Sequence, residues 1–303
     1  MNTCVIQEIE DTIEKLSEQV KSLKDMPSLN KKKSKPNIKK FSPDSISIDG
    51  CILTIPYKKA GTDYYVIKND NHYIITTDKC NKVIGGFHYG LIPETFCAVN
   101  NIPQKNAEKI RGINAYSIWT KKHRPSCEPE GMVFIKPLSV WIDIYLTGSN
   151  EVKGTSLASG YILGGDSNKK YGRVLPKDIT KMKYVDFETI ANNHSKRMLT
   201  ENEFQVAMFG VKENCSTGNL DDGRIKHIKD FTSKYGIEQA TGCQWIWSSE
   251  QHGDNTEHKK IFGGHLDHSS HSGSRASDWS NSVWYTPWGI GLRCACEHLN
   301  DAS

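Results

Sequence analysis

Downstream of Gly85 the chain carries no long periodic run. Its apolar residues fall in short strand-like stretches, of which Met132–Ile135 and VWIDIYL at 140–146 are the clearest, set among glycine, tryptophan and tyrosine. Two helices interrupt these strands. The stretch 186–196 is amphipathic, and the next helix is announced by Leu199-Thr200-Glu201-Asn202-Glu203. There the Thr200 hydroxyl can accept from the amide of Glu203 while the Glu203 side chain reaches back, a capping box. Phe204, Ala207 and Met208 then share one face, and Gly210 stops the helix. Many short strands, few helices and long loops specify a mixed α+β domain.

Upstream the pattern differs. Residues 45–83 alternate with period two (SISIDGCILTIPY, then TDYYVIKNDNHYIITTD) around Asp-Gly and Asn-Asp-Asn turn signals, which predicts a small antiparallel β unit over 45–84. Before it, 27–44 is polar, Pro-punctuated and basic, with six lysines and no acid within 31–40, and reads as an extended, solvated linker. No aromatic interleaving supports base stacking, so nucleic acid is not expected as a partner. Ile6, Ile9, Ile13, Leu16, Val20 and Leu23 alternate spacings of three and four, an a/d seam in 1–26. At under three full heptads it needs partner chains or a folded body to hold it, so it reads as an oligomerisation or docking helix of a dimer or trimer.

Length and composition bound the rest. With 303 residues and 37% apolar content the chain can bury a large core, and a net charge of +4 does not imply polyanion binding. No stretch approaches the roughly 18 apolar residues that a membrane span needs. The start MNTCVIQEIEDTIEKL lacks the layout of a secretory signal, so export by the usual route is not expected. The nine cysteines are scattered without metal-ligand spacing and predict free, mostly buried thiols.

Three ordered passages carry a resemblance. The first is Gly85-Gly86-Phe87-His88-Tyr89-Gly90, then Tyr116-Ser117-Ile118-Trp119, Arg124-Pro125-Ser126-Cys127, Gly131-Met132-Val133 and Trp141-Ile142-Asp143-Ile144-Tyr145-Leu146. The second is Lys196-Arg197-Met198-Leu199-Thr200 with Glu203-Phe204, then Gln239-Ala240-Thr241-Gly242-Cys243-Gln244-Trp245-Ile246-Trp247. The third is Phe262-Gly263-Gly264, Gly273-Ser274-Arg275, Trp279 and the ending Gly289-Ile290-Gly291-Leu292-Arg293-Cys294-Ala295-Cys296-Glu297-His298-Leu299. Over residues 85 to 299 the chain resembles the phage major tropism determinant family, the variable proteins of diversity-generating retroelements.

The resemblance implies a C-type-lectin-like fold of the formylglycine-generating-enzyme-like form over 85–303, with a variable region at about 262–299. In such proteins template adenines are copied unfaithfully, and the tract HLDHSSHSGSRASDWSNSVWYTPWG is crowded with the products of such copying. By position His265, Asp267, His268, His271, Asp278, Ser280, Trp284, Tyr285 and Trp288 are expected as displayed ligand-binding residues, with Gly273, Arg275, Trp279, Gly291 and Arg293 as fixed scaffold. Leu266 stands where the family usually has tryptophan, a departure expected to loosen local packing. The implied function is host-receptor binding at a phage or prophage tail. The implied location is the virion, at the phage tail tip or fibre, with the chain made in the host cytoplasm, and the implied partners are a bacterial surface protein or glycan and other tail proteins.

Read without the family, the same tract already has the composition of a recognition surface. Tyr and Trp give rigid contact area, and Ser, His and Asp give adaptable hydrogen bonds. A buried reading stays open for Trp284 and Trp288, whereas Trp245, Trp247 and Trp279 read as core. His265, Asp267, His268 and His271 have spacing that invites a metal, yet no Cys or Glu completes a ligand set, and no metal or cofactor is expected. An oxidase of the formylglycine-generating type would need a cysteine pair after the Gly-Gly turn. The segment 265–279 has none, so no enzymatic activity is expected. A structural tail component with an inert C-terminal face is the remaining alternative.

Overall fold

The computed structural model describes residues 36–70, 72–97, 102–148 and 157–299. The seam expected in 1–26, the basic run up to residue 35 and Cys4 lie outside them. The alternation read in 45–83 builds parts of two sheets. β1 (Ile38–Ser42), β2 (Ser45–Ile48) and β3 (Cys51–Thr54) form an antiparallel three-stranded sheet. β4 (Thr62–Asn69), β5 (His72–Thr76) and β6 (Val83–Tyr89) are joined by the two-residue β7 (Trp119–Thr120) in the order β5-β4-β6-β7. Ile38, Ile46, Ile48, Tyr64, Val66 and Phe87 share one apolar core between them.

Two expected boundaries are corrected. The linker ends before residue 44, because Ile38 buries its side chain and opens β1. In the same strand Lys40 donates to the carbonyls of Glu108 and Arg111 at 2.6 Å each, closing the end of helix α1 (Gln104–Ile110) that precedes β7. A lysine at a helix C-terminus satisfies carbonyls that the helix leaves open. The boundary at residue 84 falls inside β6, whose pairing with β4 runs from Val83 to Tyr89, and the described residues from Ile38 onward form one compact unit.

β8 (Met132–Ile135) lies where the sequence places it, and β9 (Val140–Asp143) covers the first half of VWIDIYL, while Ile144, Tyr145 and Leu146 stay buried in irregular chain. β10 (Arg197–Met198) and β15 (Cys294–Glu297) complete a sheet in the order β10-β15-β9-β8, so a strand near the chain end is central. The fourth sheet, β13-β12-β11-β14, contains β11 (Trp245–His252), β12 (Asn255–Phe262), β13 (Ser277–Ser282) and β14 (Ile290–Gly291), with β14 parallel to β11.

Two helices close these sheets. α2 (Tyr184–Asn193) buries Tyr184, Phe187 and Ala191 with Trp245, Trp247, Ile261 and Leu292. α3 (Glu201–Met208) turns Phe204, Ala207 and Met208 into the core with Ile142, Ile246 and Phe262. Its capping box is complete: Glu203 N donates to Thr200 Oγ1 at 3.3 Å and Thr200 N to Glu203 Oε2 at 2.9 Å. Gly210 follows at φ +104°. Among the described residues no helix is long and apolar enough to cross a membrane. The eight described cysteines form no disulfide. Cys127, Cys243, Cys294 and Cys296 are buried, but Cys51, Cys80 and Cys97 are exposed, so burial is less general than expected.

Candidate recognition face

The tract between β12 and β14 is pinned at both ends and in its middle. Gly263 and Gly264 turn the chain out of β12 at φ +94° and +78°, a region open to glycine, and a Cβ on Gly264 would collide with Ser272. Glu213, far away in sequence, accepts from Ser274 N at 2.9 Å and Ser274 Oγ at 2.5 Å. At the exit, Gly165 N donates to the carbonyls of Pro287 and Ile290, each at 3.1 Å. Behind the tract, the fully buried Arg293 donates to the carbonyls of Asp143, Ile144, Glu238 and Gln239 at 2.7–3.3 Å. One guanidinium thus ties two distant segments to the last strands.

The side chains that this frame carries point outward. Trp284 and Tyr285 are 63% and 55% exposed, and Asp267, His268, His271 and Ser280 are exposed too. His265, Asp278 and Trp288 are half-buried. Lys183 Nζ sits 4.9 Å from the Trp284 ring centroid, and the Trp288 indole stacks on Tyr171 at 4.5 Å.

His265 and His268 meet ring to ring at 3.8 Å. Asp267 N donates to His265 Nδ1 at 3.1 Å and the Trp245 indole N–H to His268 Nδ1 at 3.0 Å, so each neutral ring carries its proton on Nε2. Burial, then the neighbouring His268, pushes His265 down to about 4. Burial and then His271 lower His268. Both rings are therefore uncharged at neutral pH. Asp278 is the reverse case. Burial would raise it, but the Ser280 backbone and hydroxyl donors, both at 2.9 Å, together with the Asn281 amide hold it below the usual carboxylate range.

Two cavities open on this face. The larger, 720 Å³, is lined among others by Glu213, His268, His271, Arg275, Asp278 and Trp279. The smaller, 280 Å³, gathers His265, His268, Asp278, Tyr285 and Trp288 over Trp245 and Asn281. Of the nine expected residues, Asp267, Ser280 and Trp284 line neither.

Three scaffold expectations change. Trp279 is not core: it is 38% exposed on the edge strand β13, where its ring covers Lys260 Nζ at 3.5 Å while that buried lysine pairs with Glu201. Arg275 is exposed rather than built into the frame. Leu266 packs well despite replacing tryptophan, being buried with its carbonyl accepting from Ser216 Oγ at 2.7 Å. Sequence reasoning missed Tyr171 and Glu213, which reach the face from outside the tract. It also passed over Asn281, whose polar type within the tract was the available signal.

No family model matches the chain. It is 30% identical, over 288 residues covering 82% of this chain and 74% of the relative, to the tail fiber receptor-binding protein of Bordetella phage BPP-1. The chain belongs to the phage major tropism determinant family. Solved structures agree. The M1 variant of the major tropism determinant matches with a TM-score of 0.72 at 27% identity, covering 90% of this chain and 85% of that one. The P3c variant gives 0.72 at 28% identity over 87% and 84%. This family member therefore has the sheet-rich α+β, C-type-lectin-like fold of the tropism determinants.

Proposed function

We propose that this family member is the host-receptor-binding protein of a phage or prophage tail, displaying the side chains of 265–288 to a ligand on the bacterial surface. One observation carries the reading: large aromatic side chains stand in solvent on a frame tied together by buried hydrogen bonds. Trp284 and Tyr285 offer exposed apolar area that a partner would cover, whereas Arg293 and Trp247 are buried in the frame.

The protein works as a homo-oligomer at the virion tail, assembled through the seam in 1–26. One face then supplies modest affinity, and several copies add avidity. Catalysis is not part of this reading. The tract contains no cysteine, and Cys294 and Cys296 are sealed in the core near the chain end.

The test is attachment of purified protein to a panel of intact bacterial strains, comparing wild type with a folded variant carrying Asp267→Ala, His268→Ala, Tyr285→Ala and Trp288→Ala. Attachment of wild type alone to some strains supports the reading. Equal attachment of both moves the contact elsewhere, and attachment of neither favours a structural tail subunit.

A further inference from the structure

The smaller cavity has a chemistry that narrows what the face can hold. Its walls are rigid aromatic surfaces. The Trp288 plane is fixed from behind by Tyr171, Trp245 is anchored through its N–H to His268, and Tyr285 stands at the mouth. Ile261 and Ile290 contribute an apolar lining, and Asp278 is the only charged group among the lining residues. At 280 Å³ the space lies just below the ordinary range for drug-sized ligands and suits one ring or one side chain.

The polar groups decide between candidates. Asn281 Nδ2 is buried and meets no acceptor at ordinary hydrogen-bond geometry; its contact with Asp278 helps hold that carboxyl ionised and occupies only one of its two N–H groups. A buried donor left open is costly, and an occupant that accepts from it recovers that cost. The carboxylate next to it only accepts. An ammonium or guanidinium group would serve Asp278 and bring no acceptor to the second N–H of Asn281. A phosphate or carboxylate would serve Asn281 and be repelled by Asp278. An aliphatic side chain would serve neither. A hydroxyl both donates and accepts, and adjacent hydroxyls on a ring meet a carboxylate and an amide together. The C–H face of such a ring lies flat on an indole, and the Nε2–H groups of His265 and His268 add neutral donors.

We propose that this cavity is a monosaccharide subsite that takes one neutral, hydroxyl-rich sugar residue of a bacterial surface glycan, bonded between Asp278 and Asn281 and stacked on Trp288. The proposal rests on the receptor-binding reading and names the ligand class of that same face.

The experiment uses the full-length protein and strains that it binds. Cells are treated either with periodate, which cleaves the vicinal diols of glycans, or with proteinase K. In parallel, methyl hexosides and N-acetylhexosamines are titrated by saturation-transfer NMR, with tetramethylammonium as the cationic probe. The expected result is at least tenfold loss of attachment after periodate and little change after proteinase K. A sugar probe should bind with its ring C–H protons most saturated, and should weaken at least tenfold in Asp278→Asn and in Asn281→Ala. Ile74→Ala, on the edge strand β5, should leave it within twofold. Attachment that resists periodate and is lost to proteinase K, a preference for tetramethylammonium over every sugar, or sugar binding unchanged in both variants overturns the proposal. In those cases the receptor-binding reading survives if the fourfold alanine variant still fails to attach. If wild type attaches to no strain, that reading itself falls and the subsite with it.

Discussion

The ammonium of Lys196 lies 2.7 Å from Asp143 Oδ1, with both side chains sealed from solvent. The pair joins the end of β9 to the segment entering β10, on either side of the central strand β15. Burial alone would push the Lys196 ammonium down, but the Asp143 charge outweighs it and holds the ammonium above its ordinary value. Removing one partner strands the other charge in the core. Asp143→Ala should cost about 3–5 kcal/mol in urea unfolding. The double change Asp143→Leu with Lys196→Met should cost much less, and a double variant as unstable as the single one would show that the pair does more than neutralise itself.

Display and scaffold should separate by mutation. Trp284→Ala with Tyr285→Ala removes exposed rings, so each should shift unfolding by no more than about 0.5 kcal/mol while attachment to host cells is lost. Trp245→Ala empties a buried site and should cost about 3–5 kcal/mol. Thermal unfolding and cell attachment measured on the same samples check this, and strong destabilisation by the first pair would place those rings in the frame.

The capping box of α3 is a local device with a measurable worth. Thr200→Ala leaves Glu203 N without its acceptor and should destabilise by about 1 kcal/mol, read as a lower urea midpoint at unchanged slope. Thr200→Ser keeps the hydroxyl and should recover most of the loss.

His227 supplies a pH dependence. Its Nδ1 is 3.0 Å from both Glu238 carboxylate oxygens. Burial lowers the imidazole, but the Glu238 hydrogen bond and charge outweigh this and raise it above its ordinary value. A raised folded-state value means that the contact stabilises fully below pH 6.5, the unfolded value, and fades as pH climbs through the folded value. The stability difference between wild type and His227→Gln should therefore be larger at pH 6 than at pH 9. A difference that grows with pH would contradict the assignment.

Features whose causes are local were readable from the residues alone. The capping box needs only Thr200 and Glu203, and the strand at 132–135 needs only its own apolar run. The short strands β7, β10 and β14 were not readable, because two residues acquire strand character only from partners distant in sequence. Helix α1 escaped for a similar reason: QKNAEKI buries just Ala107 and Ile110, too few to show a period. The lysine run suggested a solvated tether throughout, yet Ile38 and Lys40 find apolar and carbonyl partners far along the chain. On the recognition face, the composition of the tract marked a recognition surface but left Trp284 open to burial, and the structure exposes both it and Tyr285. The wall supplied by Tyr171 and the brace supplied by Glu213 come from outside the tract and leave no mark within it. Trp279 misled because tryptophan is usually sheltered, and here it does the sheltering over Lys260.

β12 ends at Phe262 and β14 begins at Ile290, and both flank β11 in one sheet. Two inter-strand steps, about 9.5 Å, therefore separate the doorway into the tract from the doorway out. A chain segment that leaves and re-enters a wall at almost one place can be exchanged like a cartridge. The side chains that it holds in solvent can be rewritten without asking any strand outside it to move, as long as β13 keeps its pairing with β12 and Ser274 its hold on Glu213.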